Sequence, residues 1–216
     1  MNARELSGRL AFTLIELIMI IVIVAMLLLL LLSGLPRAKE QARRKQCVTN
    51  LKQVGLSFRQ WTLDGGDRYP AMVLGRQGGA LEASTNGGMF WNFMVMSNEL
   101  HDPKILVCPA DDRIPPKNFG NGWGNSNVSY FVGLDALDTW PQMLLSGDRN
   151  ITNGPLAPGR ILLLTTNTAI GWSHALHNQF GNAALADGSV QGFNTPGLRN
   201  ALRNMCGDGT NRLAIP

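Results

Sequence analysis

Apolar positions are spread very unevenly along this chain. Across residues 12–32 they are almost continuous: 21 residues, FTLIELIMIIVIVAMLLLLLL, broken only by Thr13 and Glu16 near the start. As a helix rising about 1.5 Å per residue the run spans about 30 Å, the thickness of a bilayer's hydrocarbon core. Gly34 and Pro36 follow and predict a bend or a local loosening. Beyond them continuous apolarity gives way to periodicity. Cys47, Leu51, Val54, Phe58 and Trp61 are spaced four, three, four and three residues apart, which is one stripe on an amphipathic helix. Asp64-Gly65-Gly66-Asp67 ends the pattern. One helix over residues 12–63 is expected, with a charged lower part in solvent or in a filament and a striped outer part against a globular domain.

From Arg68 onward the periods shorten. Tyr69-Pro70 is extended, residues 75–88 are glycine-rich loop, and residues 89–96 form a short apolar helix. Residues 105–109, 128–132 and 161–165 read as strands, the first stopped by Pro109. Residues 111–127 read as loop, and the connection carrying Gly147-Asp148-Arg149-Asn150 as a long polar one. Two strand-like runs, 183–186 and 189–193, flank Asp187-Gly188. That is a hairpin signal, because a type I′ turn needs positive φ at both central residues. Thr195 suits an N-cap and Pro196 a first helical position; Leu198, Leu202 and Met205 share a face, and Gly207 closes a short helix. Residues 208–216 read as a tail. The expected class is α+β: a long N-terminal hydrophobic helix packed on a small antiparallel sheet of about four strands.

Composition sharpens this. The chain has 216 residues, and its 24 glycines and 11 prolines concentrate after residue 64, which fits a loop-rich, strand-containing domain. The formal charge is +4. Arg37, Lys39, Arg43, Arg44 and Lys45 form a basic cluster just beyond the apolar run, read as a solvated helix face beside anionic head groups. No aromatic residues interleave with it, which argues against nucleic acid as a partner. The spacing of Cys47, Cys108 and Cys206 fits no zinc pattern. Outside the cytoplasm two of the three can pair, and Cys47 with Cys108 is the disulfide to test first.

Candidate chemistry is sparse. A carboxylate in the apolar run costs roughly 2.5–3.5 kcal/mol on insertion scales, so Glu16 is a functional candidate by default. His174, His177, Asp148 and Asp187 are the residue types of an acid/base or metal site. The favoured reading is structural, with His177 bracing the Asp187-Gly188 turn, so no catalytic residue and no metal ligand is assigned. Ser129 and Ser173 lack a G-x-S-x-G setting, and neither a phosphate loop nor a dinucleotide fingerprint is present. No enzymatic activity is expected.

Ala11-Phe12-Thr13-Leu14-Ile15-Glu16 followed by the apolar run resembles the N-terminal signature of type IV prepilins and type II secretion pseudopilins. His177, nine intervening residues and Asp187-Gly188 resemble the His-x9-Asp-Gly motif of one large group of prepilin-type proteins. The sequences CVTNLKQ from Cys47, DRYP from Asp67 and CPAD from Cys108 fit that group too. The resemblance implies a leader of residues 1–11, cut between Ala11 and Phe12 by a prepilin peptidase that N-methylates Phe12. It further implies a transmembrane and assembly helix at 12–35, an amphipathic continuation at 36–63, and a globular domain at 64–216. The residue before the cut is usually Gly in this family, and here it is Ala11. The implied protein is a pilin-like structural subunit of a type IV pilus or secretion pseudopilus. It would be single-pass in a bacterial inner membrane with its C-terminal domain outside the cytoplasm, and its partners would be like subunits. Glu16 would set register by neutralising the Phe12 ammonium of its own or a neighbouring chain. The family's major pseudopilins also suggest calcium on Asp208, Thr210 and Asn211, although no calcium-loop spacing supports it. The alternative is a membrane-anchored extracytoplasmic binding module for a glycan or protein, with Trp91, Trp123, Trp140 and Trp172 as aromatic platforms.

Overall fold

The computed structural model describes residues 12–154, 159–206 and 210–216. Two compact units divide the chain, Met1–Gln41 and Ala42–Pro216. Helix α1 (Leu14–Gly65) runs through the boundary, matching the helix expected over 12–63 and carrying Pro36 inside it.

In the first unit α1 begins with a reciprocal cap. The Thr13 backbone N–H and hydroxyl both donate to Glu16 Oε2, at 2.9 and 2.8 Å, and the Glu16 N–H donates back to Thr13 Oγ1 at 3.4 Å. Threonine three residues before glutamate is the capping-box pattern, which satisfies helix-start donors that have no partner within the helix. The large apolar side chains from Phe12 to Leu30 are all 46–77 % exposed, with no polar face among them. Among the described residues no single helix is long and apolar enough to cross a membrane, and one bent pair, Leu14–Leu30 with Leu35–Asp64, meets the requirement together.

The second unit is an α+β domain. Its strands are β1 (Tyr130–Gly133), β2 (Leu144–Asp148), β3 (Ile151–Thr152), β4 (Ile161–Leu164), β5 (Gly171–Trp172), β6 (Phe180–Leu185), β7 (Val190–Asn194) and β8 (Asn211–Ala214). Six form one antiparallel sheet in the order β4-β8-β1-β2-β6-β7, and β3 pairs with β5. The expected four strands thus become six. Side chains alternate across the sheet, so each strand feeds two cores. Tyr130, Val132 and Leu145 meet the α1 stripe of Cys47, Leu51, Val54 and Phe58 on one face. The short helices α2 (Leu81–Thr85), α3 (Trp91–Val95) and α4 (Ser97–Leu100) follow α1 in the chain, and Phe131, Leu144 and Leu185 meet Leu198, Leu202 and Met205 of α5 (Thr195–Cys206) on the other face.

Four expectations are corrected. Residues 103–106 form a 3-10 turn, with Asp102 accepting from the Lys104 N–H, where a strand was expected over 105–109. The supposed polar connection holds β2, whose Ser146 hydroxyl donates to the Phe131 carbonyl inside the sheet. The supposed tail holds β8, inserted between β4 and β1, with Arg212 on Asp135 at 2.6 Å. The α5 cap is Asn194, which accepts from the Gly197 N–H, while the Thr195 hydroxyl accepts from Trp172 N–H of β5.

Where α1 crosses β6, a Cβ placed on Gly55 would touch only the Ala184 Cβ, at 3.6 Å. That is ordinary contact, so Gly55 is not required for space. Gly55→Ala should stabilise the domain by about 0.5–1 kcal/mol, through helix propensity and a less flexible unfolded chain. The check is a higher urea midpoint at an unchanged m-value; a lower midpoint would show that α1 and β6 sit closer than this spacing.

Candidate functional site

The helix stripe and the His-x9-Asp-Gly segment meet along the inner face of the sheet. Arg44 Nη2 donates to the His177 carbonyl at 2.7 Å and its guanidinium lies 5.0 Å from the Phe180 ring centroid. Arg59 Nη1 donates to the Asp187 carbonyl at 2.6 Å. The two arginines are fifteen residues apart on α1, about 22 Å at the helical rise. The six residues of β6 cover a similar distance, about 20 Å. Helix α1 therefore holds the segment at both ends. Arg44, placed in a solvated cluster by its sequence context, is half-buried and bonded here.

His177 and Asp187 consequently stand at opposite ends of β6 and do not meet. The Asp187-Gly188 turn is not type I′, since only Gly188 of the pair has positive φ, at 83°. Gly188 N–H donates to the Leu185 carbonyl, Leu185 N–H to the Ser189 carbonyl, and Ser189 N–H to Asp187 Oδ1. That is a type I turn closed by a left-handed glycine. His177 does not brace it; it faces the other way, into the core.

There His177 joins Cys47, Cys108 and Asp148, with their ligand-type atoms all within 4.8 Å of one another. Cys47 comes from α1, Cys108 from the turn after the 3-10 segment, Asp148 from the end of β2 and His177 from the loop before β6. Cys47 Sγ donates to Asp148 Oδ1 at 3.0 Å, and Cys108 Sγ lies 3.2 Å from His177 Nε2. His177 Nε2 is 3.7 Å from Asp148 Oδ2, and both side chains are fully buried. Asp148 Oδ2 also accepts from the Asn182 N–H at 2.8 Å and Asn182 Nδ2 at 2.9 Å. His177, Asn178 and Gln179 all adopt left-handed backbone, φ 48°, 51° and 62°. Such conformations cost about 1–3 kcal/mol each and persist where the surroundings impose them.

The electrostatics are polarised. Hydrogen bonding from the Cys47 thiol lowers Cys108 to about 6, against burial, with His177 helping. The same thiol contact, burial and the Asp148 charge push Cys47 far up. Burial raises Asp148, opposed by His177, Cys47 and Asn182. Cys47 and Cys108 are free buried thiols, so the disulfide expected between them is not formed.

A neighbouring clamp fixes the Cys108 turn. Asp111 accepts from Arg149 Nε at 2.7 Å, Arg149 Nη2 at 2.8 Å and the Ser129 hydroxyl at 2.7 Å. Arg149 directly follows Asp148, so the clamp holds Cys108 against the end of β2. Sequence reasoning gave no role to Asp111, Arg149 or Asn182. It paired Cys47 with Cys108 as a disulfide and grouped Asp148 with His177 as candidate chemistry, but did not bring the two pairs together, because their separations exceed any local motif.

Other candidates disperse. His174 is exposed, beside Gln179 and Asn178. Asn211 is buried in β8 with its amide toward the Leu144 carbonyl, and Thr210 is exposed; Asp208 and Ala11 lie outside the described residues. Trp172 is buried, Trp140 is exposed near Met205, and Trp91 and Trp123 both contact Phe90, so the tryptophans share no single platform. Trp91 lines a cleft of about 340 Å³ with Glu82 and Val95. No protein-family model, curated protein or solved structure matches the chain.

The buried quartet presents no donor to solvent, so a substrate has no route to it without opening the core. Two sulfurs, an imidazole nitrogen and a carboxylate suit a borderline-soft cation.

Proposed function

We propose that the chain is a prepilin- or pseudopilin-like structural subunit, anchored in a membrane through residues 12–35 and assembled with like subunits through the same apolar helix. The observation that carries this reading is the exposure of every large apolar side chain from Phe12 to Leu30. A helix apolar all round needs burial in lipid or among other helices. Its N-terminal residues carry the prepilin-type signature, and the domain attached to it holds its own two cores.

Glu16 has two roles to separate, cap and charge. Glutamine at this position keeps the bond to the Thr13 N–H but removes the charge. If register depends on an ion pair with the Phe12 ammonium, Glu16→Gln and Glu16→Ala should both lower incorporation into sheared filaments on the order of tenfold, about 1.4 kcal/mol. Quantitative immunoblotting of filament and membrane fractions measures this. Wild-type incorporation of Glu16→Gln would reduce Glu16 to a cap, and a mature chain beginning at Met1 by mass spectrometry would remove the reading altogether.

A further inference from the structure

We infer that Cys47, Cys108, Asp148 and His177 form a closed tetrahedral site for a divalent, thiol-seeking cation, zinc foremost, that ties α1 to the sheet. The argument begins with spacing. Zinc bonds to sulfur, nitrogen and oxygen run about 2.0–2.3 Å, which puts neighbouring ligand atoms of a tetrahedron about 3.3–3.8 Å apart. Three of the distances across the quartet are 3.0 Å for Cys47 Sγ to Asp148 Oδ1, 3.2 Å for Cys108 Sγ to His177 Nε2 and 3.7 Å for His177 Nε2 to Asp148 Oδ2, and all four ligand atoms lie within 4.8 Å of one another. Shifts of up to about an ångström bring the four into a tetrahedral shell. Four donors of three chemical kinds come from four separate segments, which is a convergence that packing alone has no reason to produce.

Burial says which kind of site it is. Cys47, Cys108 and the side chains of Asp148 and His177 are at 0 % exposure. Structural zinc sites are closed and four-coordinate, whereas catalytic ones keep a position for water. Placing two thiols, a carboxylate and an imidazole together in a core is costly unless something neutralises them. A dication bound by two thiolates and a carboxylate leaves one net negative charge, and donors already surround it. Asn182 gives two N–H bonds to Asp148 Oδ2, Ala110 N–H points to Cys108 Sγ at 3.4 Å, and Asn182 Nδ2 and the Tyr130 hydroxyl lie 3.7 Å from Cys47 Sγ. Groups of this kind orient ligands and steady thiolate charge in metal centres. The left-handed run at His177–Gln179 and the Arg44 bond to the His177 carbonyl aim the imidazole into the same point. As the cation enters, each thiol still protonated releases its proton to solvent, and no electron is transferred.

The site competes directly with a Cys47–Cys108 disulfide, so one preparation decides between them. The full chain, purified in detergent without chelator, should carry about one zinc per chain by plasma mass spectrometry. Alkylation after denaturation should then label both Cys47 and Cys108. Chelation should lower the melting temperature and added Zn²⁺ restore it. Cobalt loading should give the intense visible bands of tetrahedral Co²⁺ with sulfur-to-metal charge transfer. Asn182→Ala should weaken zinc binding about 10–100-fold, Cys108→Ser should abolish stoichiometric zinc, and His174→Ala should leave it intact. A chain two hydrogens lighter with Cys47 and Cys108 protected from alkylation overturns the site. So does wild-type protein that retains no zinc and whose melting temperature ignores both chelator and Zn²⁺; neither result depends on a variant folding.

Discussion

Asp111→Ala should remove about 3–5 kcal/mol of unfolding free energy, the usual cost of leaving one partner of a buried ion pair behind. The carboxylate is fully buried and bonds Arg149 in both arms of its guanidinium, while Arg149 is 22 % exposed. Arg113 Nε lies 3.9 Å from the same oxygen. Removing the carboxylate strands the Arg149 guanidinium and frees the Ser129 hydroxyl, while Arg113 keeps its bonds to the Asn125, Val128 and Pro216 carbonyls. Asp112, 3.7 Å from Arg149 but 94 % exposed, recovers little of this. The effect has a pH signature. Burial pushes the Asp111 carboxyl up, but the bonds from Arg149 and Ser129 outweigh it and hold the group well below the usual carboxylate range. A folded-state value below the unfolded value of about 3.9 makes this contribution complete above that pH and lost as pH falls through the folded value. Asp111→Asn should differ most from wild type at neutral pH and converge on it below about pH 4, where the unfolded chain is protonated. Urea titrations of both proteins across that range measure the difference. Parallel curves down to strong acid would mean that the Asp111 charge is not coupled to folding.

Phe58→Ala should cost a comparable amount, about 3–5 kcal/mol. Phe58 is fully buried in the inner core, with Tyr69 at 5.9 Å and Phe93 at 6.0 Å in edge-on ring contacts. It lies one turn beyond Val54 on the α1 stripe, so its loss opens a cavity between the helix and the short helices over residues 81–100. Tyr69, whose hydroxyl donates to the Ala186 carbonyl, carries the damage to the hairpin turn. Calorimetry of the full chain in detergent should show one lowered transition. A loss under about 1 kcal/mol would mean that neighbouring side chains close the cavity.

Much of the architecture was legible because it rests on local periodicity. The stripe from Cys47 to Phe58 is buried as its spacing requires, and the hairpin around Asp187-Gly188 forms. The type of turn was misjudged, because an Asp-Gly pair serves a type I turn with one left-handed glycine as well as a type I′ turn. The two missed strands share a different cause. Leu144–Asp148 ends in Ser146, Gly147 and Asp148, which look like loop until the Phe131 carbonyl and Asn182 supply their partners. Gly147 in particular lets the Phe131 ring approach, since a Cβ there would lie 2.7 Å from it. Strand Asn211–Ala214 has four residues, and its place between two other strands is set by pairing rather than by its own alternation.

The sequence by itself determined the long helix, its division into an all-apolar part and a striped part, and the α+β class, because each follows from the period of neighbouring residues. Only the tertiary structure decided that Cys47, Cys108, Asp148 and His177 share one buried point, and that His177 belongs with them rather than with Asp187. The physical reason is that long-range convergence leaves no trace in local spacing. A ligand atom's position depends on how four separate segments pack, and that is settled by the sheet order and by the arginines that hold β6 along α1.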